Sequence, residues 1–139
     1  MALSDVKVFP DAELMARNFL AEYFGDEAHL CTVLPEDAQF DELIQDRSVV
    51  RVMRIGGSWR FRRSLDEPMV DIDVWAGSLV SARSTANQAR AAVADMAGDQ
   101  RDGGLCTHTA EISGPGRRPE DNPKVYRIGF TAGLLVRPA

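Results

Sequence analysis

Between Met69 and Ala76, Val70, Ile72 and Val74 interleave one for one with Asp71, Asp73 and Trp75. Successive side chains leave a β-strand on opposite sides, so this period of two marks a strand with one dry face. Pro68 precedes the run and Gly77-Ser78 follows it. The same period returns from Lys124 to Val136, where Tyr126, Ile128, Phe130, Ala132, Leu134 and Val136 share a face. Two long strands with dry faces require a layer of other elements to lie against them.

Helices supply that layer. Ala12, Met15, Ala16, Phe19, Leu20 and Tyr23 recur at three- and four-residue spacing after Asp11, a capping residue type, and before Gly25. A second stripe, Ala82, Ala86, Ala89, Val93 and Met96, follows the N-cap candidate Ser78 and runs toward Gly98. Its small residues imply close packing on the sheet. Shorter strands are expected at Ala28–Leu34, Ser48–Ile55 and Leu105–Ile112, with Gly56-Gly57-Ser58 as a break. Residues 36–46, acidic with anchors at Phe40, Leu43 and Ile44, read as a loop or a single helical turn, and Ser113 to Pro123 as a long loop. The expected fold is α/β (α+β): a single mixed sheet of about five strands with two helices packed on one face, in the order α-β-β-β-α-β-β. No repeat or linker divides the 139 residues, so one domain spans 1–139.

Composition narrows the function. The chain is 45% hydrophobic and 27% charged, values that exclude disordered and collagen-like classes. No apolar run is long enough for a membrane span, and the N-terminus lacks a signal-peptide pattern, so a cytosolic protein with two free cysteines is expected. The net charge of −5 is unevenly spread. Residues 1–46 hold 11 acids and 2 bases, whereas residues 47–65 hold 6 arginines and no acid. An acidic chain is a poor general binder of nucleic acid. The basic block from Arg47 to Arg63 contains Trp59 and Phe61, which permits base stacking or an interface between copies. Charge blocks of opposite sign within one chain favour the interface.

The chemistry-bearing patterns are sparse. Asp71 and Asp73 share one side of a strand and could hold Mg²⁺, but neither Lys7 nor Lys124 completes a nuclease motif. A solvent face or a subunit contact is the expected role. His29 with Cys31 and Cys106 with His108 would close around zinc only if their strands were neighbours. Gly114-Pro115-Gly116-Arg117-Arg118 lacks the Lys-Ser/Thr of a phosphate loop and reads as a stiffened docking arm. No catalytic residue, metal or cofactor is assigned.

The strand 69–76, the alanine-rich helix after it, and the ending Ile112-Ser113-Gly114-Pro115-Gly116-Arg117-Arg118-Pro119-Glu120-Asp121-Asn122-Pro123 with Val125-Tyr126-Arg127 and Phe130-Thr131-Ala132 resemble tail terminator proteins of long-tailed phages of actinobacteria. The element order is also similar to the tail completion proteins of the lambda minor tail protein U type. The resemblance implies a structural virion protein at the neck-proximal end of the tail, assembled in the host cytoplasm. It implies a hexameric ring that stops the major tail tube protein from polymerising and joins the head-tail connector or neck protein. Genomic DNA would pass through the lumen without sequence-specific binding, and no membrane is involved.

The expected contact residues are Arg51, Arg54, Trp59, Arg60, Phe61, Arg62 and Arg63, with Asp71, Asp73 and Trp75 on the neighbouring strand and Arg117 and Arg118 on the later arm. The stretch from Arg51 to Arg63 is expected to project as a hairpin turned by Gly56-Gly57.

Overall fold

The computed structural model describes residues 2–3, 6–62 and 64–139. Helix α1 spans Ala12–Phe24 and begins where Asp11 accepts a hydrogen bond from the Leu14 amide at 3.0 Å. Gly25, at a φ of 58°, ends it in a conformation that costs other residues strain. Strand β1 follows at Ala28–Cys31, then helix α2 at Asp37–Ile44 and strand β2 at Ser48–Phe61. Strand β3 is Leu65–Ala76 and helix α3 is Leu79–Ala94. The Ser78 hydroxyl caps α3 by accepting from the Ser81 amide at 3.1 Å. Strands β4 (Gln100–Arg101), β5 (Gly104–Arg117) and β6 (Tyr126–Pro138) complete the sheet.

The strands lie in the order β1-β2-β3-β6-β5-β4. The β1–β2 pair is parallel and the other pairs are antiparallel, which makes the sheet mixed. The central strands β3 and β6 are the two that alternate most cleanly in sequence. Val70, Ile72 and Val74 are fully buried with Phe130, Leu134 and Val136 against Met15 and Leu20 of α1 and the alanine stripe of α3.

The architecture agrees with the expected class, with corrections in detail. Among the described residues there are six strands and three helices, not about five and two. The added strand, β4, pairs only with Gly104 and Leu105 across a turn at Asp102 and Gly103, both at positive φ. The added helix is α2, two turns in the segment expected as a loop or a single helical turn. Phe40, Leu43 and Ile44 pack with Val49, Trp75 and Val125 in a second cluster. Those strand residues point away from α1 and α3, so the helices cover both faces of the sheet rather than one.

Two expected breaks are continuous strand. Gly56 and Gly57 do not turn the chain. The β2–β3 register slips by one residue between Arg54 and Gly56, a bulge, and pairing then continues to Phe61. Gly57, at a φ of 87°, lies where a Cβ would collide with the Glu67 carbonyl, so glycine here permits close backbone approach. The reversal comes later, marked by the Ser64 amide on the Phe61 carbonyl at 3.2 Å. Likewise β5 runs through Gly114-Pro115 to Arg117. Pro115 sits in a register shift between Ser113 and Gly116, where its missing N–H costs the ladder least.

Candidate functional site

Two features of the structure hold the expected contact residues: a buried arginine clasp on the sheet, and a projecting arm.

The clasp is built on β3. Asp73 is 1% exposed and serves three guanidinium groups. Its Oδ1 accepts from Arg118 Nη1 at 3.0 Å and Arg127 Nε at 3.1 Å, and its Oδ2 accepts from Arg51 Nη2 at 3.3 Å. Two residues along, Asp71 Oδ1 accepts from Arg118 Nη2 at 3.1 Å and the Thr131 hydroxyl at 2.5 Å. Partial burial alone would push the Asp71 carboxyl up. The Thr131 hydroxyl and the Arg118 guanidinium outweigh that effect and hold it below its ordinary value. A Cβ on Gly129 would run into both Arg118 and Asp73, so glycine leaves the room the clasp occupies.

Trp75 stands beside these groups at 3% exposure. Arg51 and Arg127 each place a guanidinium carbon 5.1 Å from its ring centroid, and its indole N–H donates to Glu120 at 2.6 Å. Arg127 also donates to the Pro119 carbonyl at 3.2 Å. The clasp therefore ties the 118–125 loop down over β3 and β6. The solvent-face reading of Asp73 is corrected by this geometry, and Trp75 is likewise buried within its own chain. Alternation along a strand identifies which residues share a face but not whether a loop will cover that face. Glu120, Arg127 and Thr131 escaped the sequence reading because their partners lie 45 to 60 residues away. Three of the four carboxylate oxygens of Asp71 and Asp73 accept from guanidinium or hydroxyl groups.

The arm is the distal half of β2 with the start of β3. Residues Arg54 to Phe61 are all exposed, yet they remain paired with β3. Arg54 forks onto Asp66 with contacts of 2.7 and 3.0 Å, and Asp66 is 3% exposed. The Arg54 backbone amide donates to Glu13 of α1 at 2.8 Å, which fastens the base of the arm to the first helix. Farther out, Arg60 pairs with Glu67 at 3.3 Å. Trp59 and Phe61 are 61% and 62% exposed, although aromatic rings of this size normally find cover. Arg62 has no ion-pair partner among the described residues, and Arg63 lies outside them. Arg117 is exposed on β5, 5.8 Å from the Tyr126 ring centroid.

The basic block thus spends most of its charge internally, with Arg47 on Asp46, Arg51 on Asp73, Arg54 on Asp66 and Arg60 on Glu67. Few guanidinium groups remain for a phosphate backbone. The histidine–cysteine pairs do not meet, because β1 and β5 are separated by β2, β3 and β6. Each thiol contacts a backbone carbonyl 3.5 Å away, and burial raises both thiol pKa values. No group of three potential metal-binding side chains forms among the described residues.

An α+β fold with a charge-paired sheet face and an exposed aromatic arm carries no recognised catalytic constellation among the described residues, and comparison with known families shows its class: this is a phage tail protein. It belongs to the phage tail termination protein family, whose model matches residues 8–139. A search of curated proteins found no match.

Proposed function

We propose that the protein closes the growing tail as a ring of identical copies, six in number, that caps the tube, stops addition of the tube protein and presents the surface that receives the neck. In this reading the DNA passes through the ring without sequence-specific contacts. The protein works at the neck-proximal end of the tail after assembling in the host cytoplasm, and its role is structural rather than catalytic.

The observation that carries the reading is the arm. Trp59 and Phe61 remain exposed on a hairpin whose base is locked to the domain by Arg54, Asp66 and Glu13. Exposed aromatics on a rigid element are typical of interface anchors. Neighbouring copies, the tube and the neck are the partners such an arm serves in a tail terminator, with Arg60, Arg62, Arg63 and Arg117 orienting the contact.

The test is to complement a terminator-deficient phage with the Trp59→Ala variant and to image the tails. Overlong tails or tails without heads are expected, with the purified variant still folded. Normal tail length and normal infectivity would refute the reading.

A further inference from the structure

We infer that the arm of one copy seats on helix α2 of the next, so that the copies join head to tail. This inference rests on the self-assembly proposed above and names the surface that receives the arm.

Three observations point to α2. First, the arm needs a partner that is both acidic and partly apolar. With Arg54 and Arg60 neutralised by Asp66 and Glu67, its outer end keeps the charge of Arg62 close in sequence to the exposed Trp59 and Phe61. Second, α2 has that composition. Asp37, Asp41 and Glu42 are exposed and have no ion-pair partner among the described residues, and no residue of α2 is buried. A shallow depression lined by Gln39, Glu42, Leu43, Asp46 and Arg47 lies beside them and offers Leu43 as an apolar floor. Three other acids of the N-terminal block are already engaged, whereas Asp26, Glu27 and Glu36 are exposed but do not line the depression beside Leu43. Asp11 caps α1, Glu13 holds the arm's base and Glu22 pairs with Arg101.

Third, the arm cannot reach its own α2. Helix α2 abuts the start of β2 and the arm tip lies at its end, a strand of 14 residues. At about 3.3 Å per residue that is roughly 45 Å, and pairing with β3 along this length prevents β2 from folding back. Complementary surfaces at opposite ends of one rigid strand can meet only between copies. Because the two patches differ, the contact is head-to-tail, and such contacts close into a ring when the rotation permits.

A charge-swap experiment tests this contact. Arg62→Glu and Asp41→Lys/Glu42→Lys each change exposed positions and leave the core and the arm's own ion pairs untouched. Each variant alone should raise the midpoint concentration for self-association by about tenfold, the effect of one or two exposed pairs made repulsive. The two combined in one chain should restore association to within about threefold of the parent, because both patches are reversed together. Sedimentation over a concentration series reads the association, and circular dichroism of the dilute samples checks the fold. A combined variant no better than either part would overturn the inference. So would α2 reversal without effect in a parent that assembles, which would move the arm to the tube or neck while leaving the ring reading intact. A parent that stays monomeric at all concentrations would reject self-assembly itself.

Discussion

Asp73 shows how one carboxylate can organise a surface. Three arginines converge on a group with almost no access to water, and each keeps only about a fifth of its side chain exposed. Removing one partner from a buried charge cluster leaves the others uncompensated, which typically costs ~3–5 kcal/mol. Asp73→Asn should therefore lower stability by about 3 kcal/mol, the low end because the arginines retain some solvent, and a urea titration reads this directly. Gly129→Ala should act on the same clasp by displacing Arg118, at about 1–3 kcal/mol as for other overpacked sites. Asp71 adds a pH signature. Its carboxyl is depressed in the folded protein, so the unfolded chain takes up its proton first as pH falls. The stabilisation is complete above the ordinary carboxylate value near pH 4 and is lost as pH drops through the lower folded value. In urea titrations between pH 6 and pH 3, Asp71→Asn should flatten that part of the parent's decline.

The arm has two parts with separate consequences. At its base, Arg54, Asp66 and Glu13 fix the hairpin direction. At its tip, Trp59 and Phe61 provide apolar area and Arg62 provides charge. Exposed ion pairs contribute only about 0–1 kcal/mol each, whereas buried aromatic area contributes more. Trp59→Ala should therefore weaken assembly more than Arg62→Ala, with the thermal midpoint of the monomer unchanged in both. Light scattering of the purified variants compares them, and equal loss in the two would assign the contact to charge. At the glycine bulge, Gly57→Ala should disturb the arm's pairing through both its positive φ and the nearby Glu67 carbonyl. Proteolysis between residues 56 and 64 should then quicken while the rest of the domain remains resistant.

For the molecule as a whole, the sheet is the frame and β3 is its centre. Val74 is fully buried between α1, α3 and β6. Val74→Asp would place an unpaired charge there and should cost several kcal/mol, on the order of 3–5. A variant that melts like the parent would contradict this core. If copies join through the arm and α2 as inferred above, the shape of their assembly follows from the geometry of the arm relative to α2, since both are anchored to the same strand. In that case, mutations that loosen the base of the arm should alter self-association, which sedimentation of Glu13→Ala beside the parent would read.

Local patterning was enough to find β3, β6, α1 and α3, because each exposes one face to the core and leaves a period of two or of three to four in the chain. Both helix caps were legible for the same reason: a cap is a contact across three residues. The charge blocks and the exposed aromatics of the arm were also visible in order along the sequence. Helix α2 was not, because its anchors are few and their partners Val49 and Trp75 belong to strands read separately. The turn of the arm was misplaced because a glycine pair serves equally for a reversal or for a bulge where backbones crowd together. The clasp required the fold itself. Asp73 meets Arg51 through β2, and Arg118 and Arg127 through β5 and β6, so the sheet order β2-β3-β6-β5 decides which charges neutralise one another. Sequence patterning therefore determined the elements and the dry faces, since both are set by neighbours within a few residues. Tertiary structure alone decided which arginines face inward and which carboxylates they neutralise, since burial and pairing depend on residues far apart in the chain.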